Sequence, residues 1–159
     1  MPTSEVVTEF SGGPGHEPDS KNLYEAFLTT TARQGDAPAV ISEDEGISYS
    51  WNDLAERVRA IAGGFNSLGL RRGDTVSLLT NNRADFIPTD LAAVSLGAVP
   101  FSIYQTSSPE QIEYLLKDSA AKIMVVEPQF LPRVEEVRDR LPDLEHIIVM
   151  GGDGGTMSY

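Results

Sequence analysis

Three features of the chain predict an α/β fold: a doubly wound parallel sheet with helices on both faces, preceded by an N-terminal β-hairpin. From Thr75 to Met150 short apolar runs alternate with amphipathic stretches, strand then helix, in connections that suit parallel neighbours. Val76, Leu78 and Leu79 in one run, and Ile147, Ile148 and Val149 in another, lack strict apolar–polar alternation, as strands covered on both faces do. Ahead of them, Ala39 to Ser42 and Ile47 to Tyr49 flank Glu43-Asp44-Glu45-Gly46, a pattern that reads as a hairpin with a glycine-containing loop.

The elements follow in order. Asn22 caps a predicted helix to about Gln34, with Leu23, Phe27 and Thr31 on one side and Gly35 at its end. Ser50 and Asp53 approximate a capping box, and Trp51, Leu54, Val58, Ile61, Phe65 and Leu68 recur at three and four residues until Gly69. Within this helix Gly63-Gly64 suggests close packing against the sheet. Arg71 to Asp74 turn the chain into a strand over Thr75 to Thr80. A helix over Ala84 to Leu96 should point Phe86, Ile87, Leu91 and Val94 inward, with Pro88 in its first turn or at a kink. A strand over Ala98 to Tyr104 leads to Ser108-Pro109-Glu110-Gln111, where serine caps, proline takes the first helical position and Gln111 closes the box. Ile112, Leu115 and Leu116 form the buried stripe of that helix. Lys122 to Val126 is a strand, Gln129 to Leu141 a predicted helix holding Phe130, Val134 and Val137, and His146 to Met150 the last strand.

The 159 residues suffice for one domain with a real core, and 40% hydrophobic with 23% charged residues is ordinary soluble composition. The division expected is a flexible Gly/Pro-containing arm over 1–20, an α/β unit over 21–150 and a Gly-rich loop over 151–159. A net charge of −12 disfavours nucleic acid or an anionic membrane as partner. The absence of cysteine excludes disulfides and thiolate chemistry. The longest apolar stretch, Leu91 to Phe101, is interrupted by Ser95, Gly97 and Pro100 and falls short of the ~20 residues that a spanning helix needs. No signal-peptide pattern opens the chain, so the cytoplasm is the expected location.

Three stretches, Ile47 to Leu54 (ISYSWNDL), Leu91 to Pro100 (LAAVSLGAVP) and Tyr104 to Ser119 (YQTSSPEQIEYLLKDS), together resemble the N-terminal subdomain of the adenylate-forming ligases, the AMP-binding or ANL superfamily. The last is most like the long-chain fatty acyl-CoA synthetases. Arg72-Gly73-Asp74 before a strand and Asn81-Asn82 after it fit the same family, and the resemblance covers about Asn22 to Tyr159.

The resemblance implies a two-step reaction in the intact enzyme: a fatty acid carboxylate attacks the α-phosphate of ATP, and coenzyme A then displaces AMP from the acyl-adenylate. Such chemistry asks for a Gly/Ser/Thr-rich backbone cradle, a lysine and a carboxylate-held Mg²⁺. The chain's three lysines, Lys21, Lys117 and Lys122, fall in a cap region, a helix and a strand start, and no Gly-rich loop ends in Pro-Lys. No catalytic residue is carried over. This chain alone is expected to bind no cofactor and to be inactive, while ATP, Mg²⁺ and coenzyme A belong to the intact enzyme. Its expected partner is the remainder of the ligase, whose absence would leave an apolar face able to support a homodimer. Peripheral membrane association is open to the intact enzyme.

Open α/β sheets place ligand contacts at the carboxyl ends of strands, which makes Tyr104, Gln105 and Thr106 the candidates for lining a substrate-facing crevice. The plainer account of Thr106 and Ser107 is a turn before the Ser108 cap. Gly151-Gly152-Asp153-Gly154-Gly155 lacks a lysine and a following helix and reads as a loop. His16 and His146 have no second histidine at ligand spacing, so no metal site is expected. Glu43-Asp44-Glu45 and Glu135-Glu136 read as ordinary surface charge. A different class of function, a free-standing α/β binding module, and a flavodoxin-like nucleotide binder remain as alternatives.

Overall fold

The computed structural model describes residues 20–151, so the bulk of the expected arm and of the terminal Gly-rich loop lies outside the described residues. Helix α1 (Leu23–Gln34) begins where the Asn22 side chain accepts the Glu25 N–H at 2.9 Å. Strands β1 (Pro38–Ser42) and β2 (Ile47–Ser50) form the expected antiparallel hairpin. Helix α2 (Trp51–Ser67) opens on the expected capping box: Ser50 Oγ accepts from the Asp53 N–H at 3.1 Å, and the Asp53 carboxylate accepts from the Ser50 N–H at 3.0 Å. The chain continues through β3 (Thr75–Leu79), α3 (Phe86–Ser95), β4 (Val99–Ser102), α4 (Pro109–Asp118), β5 (Ala121–Val126), α5 (Leu131–Glu135) and β6 (His146–Val149). The box at Ser108 and Gln111 starts α4 as its sequence dictates.

Strands β3 to β6 form one parallel sheet in the order β4-β3-β5-β6. The chain therefore leaves β3 to one side, then returns past it to build the other. Side chains sort by strand parity. Val76, Leu78, Ile123, Val125 and Ile148 pack with Phe27 of α1, Tyr49 of the hairpin, Val58 and Phe65 of α2 and Ala92 of α3. Leu79, Met124 and Val126 pack on the opposite face with Ile112 and Leu116 of α4 and Val134 of α5. Two cores sandwich one sheet, which is the doubly wound arrangement the alternation predicts.

Four details depart from expectation. The stretch Gln129–Leu141 is not one helix: a 3₁₀ turn at Pro128–Phe130, α5, and a second 3₁₀ turn at Arg138–Arg140 share it. Pro132 lacks an N–H and fits only a helix start, and beyond α5 the bonds tighten to three-residue spacing, Val137 N–H to the Val134 carbonyl and Arg140 N–H to the Val137 carbonyl. Phe130, Val134 and Val137 are nonetheless buried as expected. Strand β4 is shorter than Ala98–Tyr104. In α3 Phe86 and Leu91 pack against the core only partly buried, the fully buried side is Pro88, Thr89, Ala92 and Ala93, and Ile87 is 41% exposed. Small residues turn inward there because α3 packs alongside α2, and bulk falls to the margin. Gly63 does not serve close packing either, since a Cβ placed on it would meet nothing within 4 Å.

Candidate functional site

A sheet of order β4-β3-β5-β6 has its topological switch point between β3 and β5, where outgoing connections diverge and where open α/β sheets place a crevice beyond the carboxyl ends. Four segments reach this mouth: Thr80 to Ala84 after β3, Tyr104 to Ser107 after β4, Glu127 after β5, and the hairpin loop through Glu45.

Glu127 is the organising group. It is 4% exposed, the one charged residue among the buried polar side chains described. A buried carboxylate is tolerated when its lone pairs are filled. Here it accepts from the Asn81 backbone N–H, from Asn81 Nδ2 at 3.3 Å and from Gln129 Nε2 at 2.7 Å, with Arg83 Nη1 3.6 Å away. Arg83 Nε in turn lies 3.2 Å from Glu45 Oε1, and the other Glu45 oxygen accepts the Ala84 N–H at 2.7 Å. That backbone hydrogen bond, with the Ser42 side chain and Arg83 adding to it against the opposing effect of burial, holds the Glu45 carboxyl below its ordinary value. Glu45 is therefore a fastening of the hairpin to the start of α3, a correction to its reading as surface charge. A second fastening runs parallel to it. Tyr49 Oη donates to Asp85 Oδ1 at 3.2 Å, and Arg57 lies 4.2 Å from the centre of the Tyr49 ring while pairing with the same carboxylate at 3.4 Å. Burial, and then the Asp85 charge, push the Tyr49 hydroxyl pKa up.

Of the three residues named from sequence, Gln105 stands at the crevice mouth, where its Nε2 donates to the Thr80 carbonyl at 3.0 Å. Tyr104 is 81% exposed and Thr106 is exposed, on a turn closed by the Ser107 N–H to the Tyr104 carbonyl. Thr80 Oγ1 is buried without a hydrogen-bond partner. Glu127, Arg83 and Glu45 were missed as a group because their partners lie 39 and 46 residues apart along the chain. The one local signal was a glutamate closing the otherwise apolar run Ile123 to Val126.

These residues do not fit a nucleotide triphosphate with its Mg²⁺. Arg83 is held between two carboxylates, and Arg133 Nη1 donates to the Ser107 carbonyl at 2.7 Å. Among the described residues no group of three or more histidine, aspartate or glutamate side chains is placed to hold a metal ion. No described helix is long and apolar enough to cross a membrane.

Comparison with known proteins places the chain. The sequence of residues 27–157 matches the profile of the family described as AMP-binding enzyme. The uncharacterised protein Rv1549 of Mycobacterium tuberculosis is 38% identical over 130 residues, covering 82% of this chain and 73% of that one. The long-chain-fatty-acid–CoA ligase ACSBG2 of Xenopus laevis is 34% identical over 79% of this chain and 18% of its own length. The crystal structure of the anthranilate–CoA ligase AuaEII in complex with anthranoyl-AMP superimposes with a TM-score of 0.75 at 29% identity, over 79% of this chain and 24% of that one. The chain thus spans about a fifth to a quarter of these two ligases. It belongs to the AMP-binding enzyme family, the adenylate-forming ligases that its sequence resembles.

Proposed function

We propose that this chain is the N-terminal portion of an ATP-dependent long-chain fatty acid–CoA ligase, acting as a scaffold and as one wall of the substrate cleft, and inactive by itself. ATP, Mg²⁺, coenzyme A and the fatty acid are then bound by the intact enzyme, with the remaining ligase polypeptide as this chain's partner. Gln105 and its neighbours Tyr104 and Thr106 form the part of the wall facing substrate. The intact enzyme works in the cytoplasm, and peripheral association with a membrane is open to it.

One observation carries the reading. A match to the adenylate-forming family coincides with a switch-point mouth whose cations are already spent on Glu45, Glu127 and the Ser107 carbonyl. Polyphosphate binding needs uncommitted positive charge or a backbone nest. The choice of the long-chain branch rests on the Tyr104 to Ser119 segment and on relatives such as ACSBG2. Incubating the purified chain with MgATP and palmitate and trapping acyl-adenylate as the hydroxamate tests the proposal. No product is expected above the blank, and product formation at a rate saturable in ATP overturns it.

A second reading, a free-standing binding module, is favoured by one fact: Rv1549 is matched over 73% of its length, so that relative has little polypeptide outside the matched region. Sedimentation separates the two. A ligase wall with its apolar partner surface uncovered should self-associate as a homodimer, whereas a module should stay monomeric.

A further inference from the structure

Arg83 sits in the loop between β3 and α3, in an unusual position for an arginine. Its Nε lies 3.2 Å from Glu45 Oε1 and its Nη1 3.6 Å from Glu127 Oε2. Neither contact is a hydrogen bond. Nε is buried with no hydrogen-bonded partner, so the first contact is out of line, and the second is too long. Each carboxylate is anchored independently of the arginine. Glu45 holds the Ala84 N–H, while Glu127 holds both Asn81 donors and Gln129. The guanidinium is thus a shared cation whose charge is compensated by both groups and squarely hydrogen-bonded by neither. A planar fork of this kind gains most when it meets one carboxylate squarely through two donors.

We propose that Arg83 is a positioning residue that couples the hairpin loop to the mouth of the switch-point crevice by dividing its charge between Glu45 and Glu127. When the Glu45 loop is displaced, Arg83 closes onto Glu127 and tightens the chain at Asn81. When Glu127 is drawn away, Arg83 closes onto Glu45 and tightens the hairpin. The element with two arrangements is a single side chain, which both ends bias. This coupling belongs to the fold and holds whichever acid the intact enzyme activates.

The test compares Glu45→Gln, Glu127→Gln and the double variant by urea unfolding, in the native background and with Arg83→Met. Glutamine keeps an acceptor oxygen for the Ala84 or Asn81 N–H and removes the charge. In each single variant Arg83 shifts to the surviving carboxylate and recovers part of the loss, but in the double variant it has nowhere to go. The double loss should therefore exceed the sum of the single losses by about tenfold in the folding equilibrium constant. With Arg83→Met the two effects should add. Additivity in the native background overturns the proposal. A second readout needs only Glu45→Gln, and so serves even where Glu127→Gln does not fold. Amide exchange at Asn81 should slow by roughly threefold or more as Arg83 tightens on Glu127, and an unchanged or faster rate contradicts the coupling.

Discussion

Gln105 donates from Nε2 to the Thr80 carbonyl at 3.0 Å, tying the end of β4 to the end of β3 across the mouth of the sheet. The same threonine buries its hydroxyl without a partner. Replacing Gln105 with leucine keeps the bulk and removes the donor, so it should cost about 1 kcal/mol, read as a lower urea midpoint at unchanged slope. Thr80→Val removes an unsatisfied hydroxyl and should be neutral or stabilising. Tyr104→Ala and Thr106→Ala, at exposed positions, should each stay within about 0.5 kcal/mol of the parent. A loss of substrate affinity in an assembled ligase carrying either change would then report contact with substrate rather than folding.

Two backbone positions invite stabilisation. Gly63 lies inside α2 with open space where its Cβ would be, so Gly63→Ala should gain about 1 kcal/mol of helix stability. Ala120 has a φ of 48°, a left-handed conformation in which a Cβ is strained. Ala120→Gly should therefore raise the melting temperature, against the usual effect of added glycine. Gly97 behaves oppositely: its φ is +73° and a Cβ would stand 3.1 Å from Arg72 Cγ, so Gly97→Ala should lower the melting temperature.

Asp74 should contribute to acid sensitivity, as Glu45 does. Its carboxylate is bonded to Lys122 at 2.9 Å and accepts the Arg71 N–H at 2.8 Å, and the Lys122 contact is the main cause holding it below its ordinary value of 3.8. A carboxyl that titrates lower in the folded chain adds stability above the unfolded value and loses it as pH falls through the folded one. Asp74→Asn should thus destabilise at pH 7 and make no difference at a pH below both values. Equal destabilisation at both pH values contradicts the assignment.

Asp90 carries the opposite sign. It lies in α3, and burial alone pushes its carboxyl above the ordinary 3.8. The folded state therefore disfavours the charged form, a cost present above the raised value that disappears below the unfolded one. Asp90→Asn should stabilise at pH 7, with the gain shrinking to nothing on acidification. Thermal melts across that range measure it.

Much of the fold was legible because its signals are local. Ser50 with Asp53 and Ser108 with Gln111 dictate where α2 and α4 begin from contacts three residues away. The unalternating strands announced cover on both faces, and the two cores supply it. The stretch after Pro128 misled because an apolar spacing of three and four persists through 3₁₀ turns, which bury Phe130, Val134 and Val137 much as a regular helix would. Ile87 misled because periodicity does not reveal that the neighbour of α3 is another helix. The switch-point mouth was half legible: strand ends pointed to Gln105, but a carboxylate pairing across 46 residues leaves no trace in spacing, so Glu127 stayed hidden and Glu45 passed for solvated charge.

The central claim is that this chain supplies a wall of the ligase cleft and no seat for nucleotide. An amide NMR titration with MgATP into the purified chain tests it most directly. No saturable shift is expected at Asn81, Gln105, Glu127 or their neighbours. Saturable shifts clustered on those residues, abolished by Glu127→Gln, would contradict it.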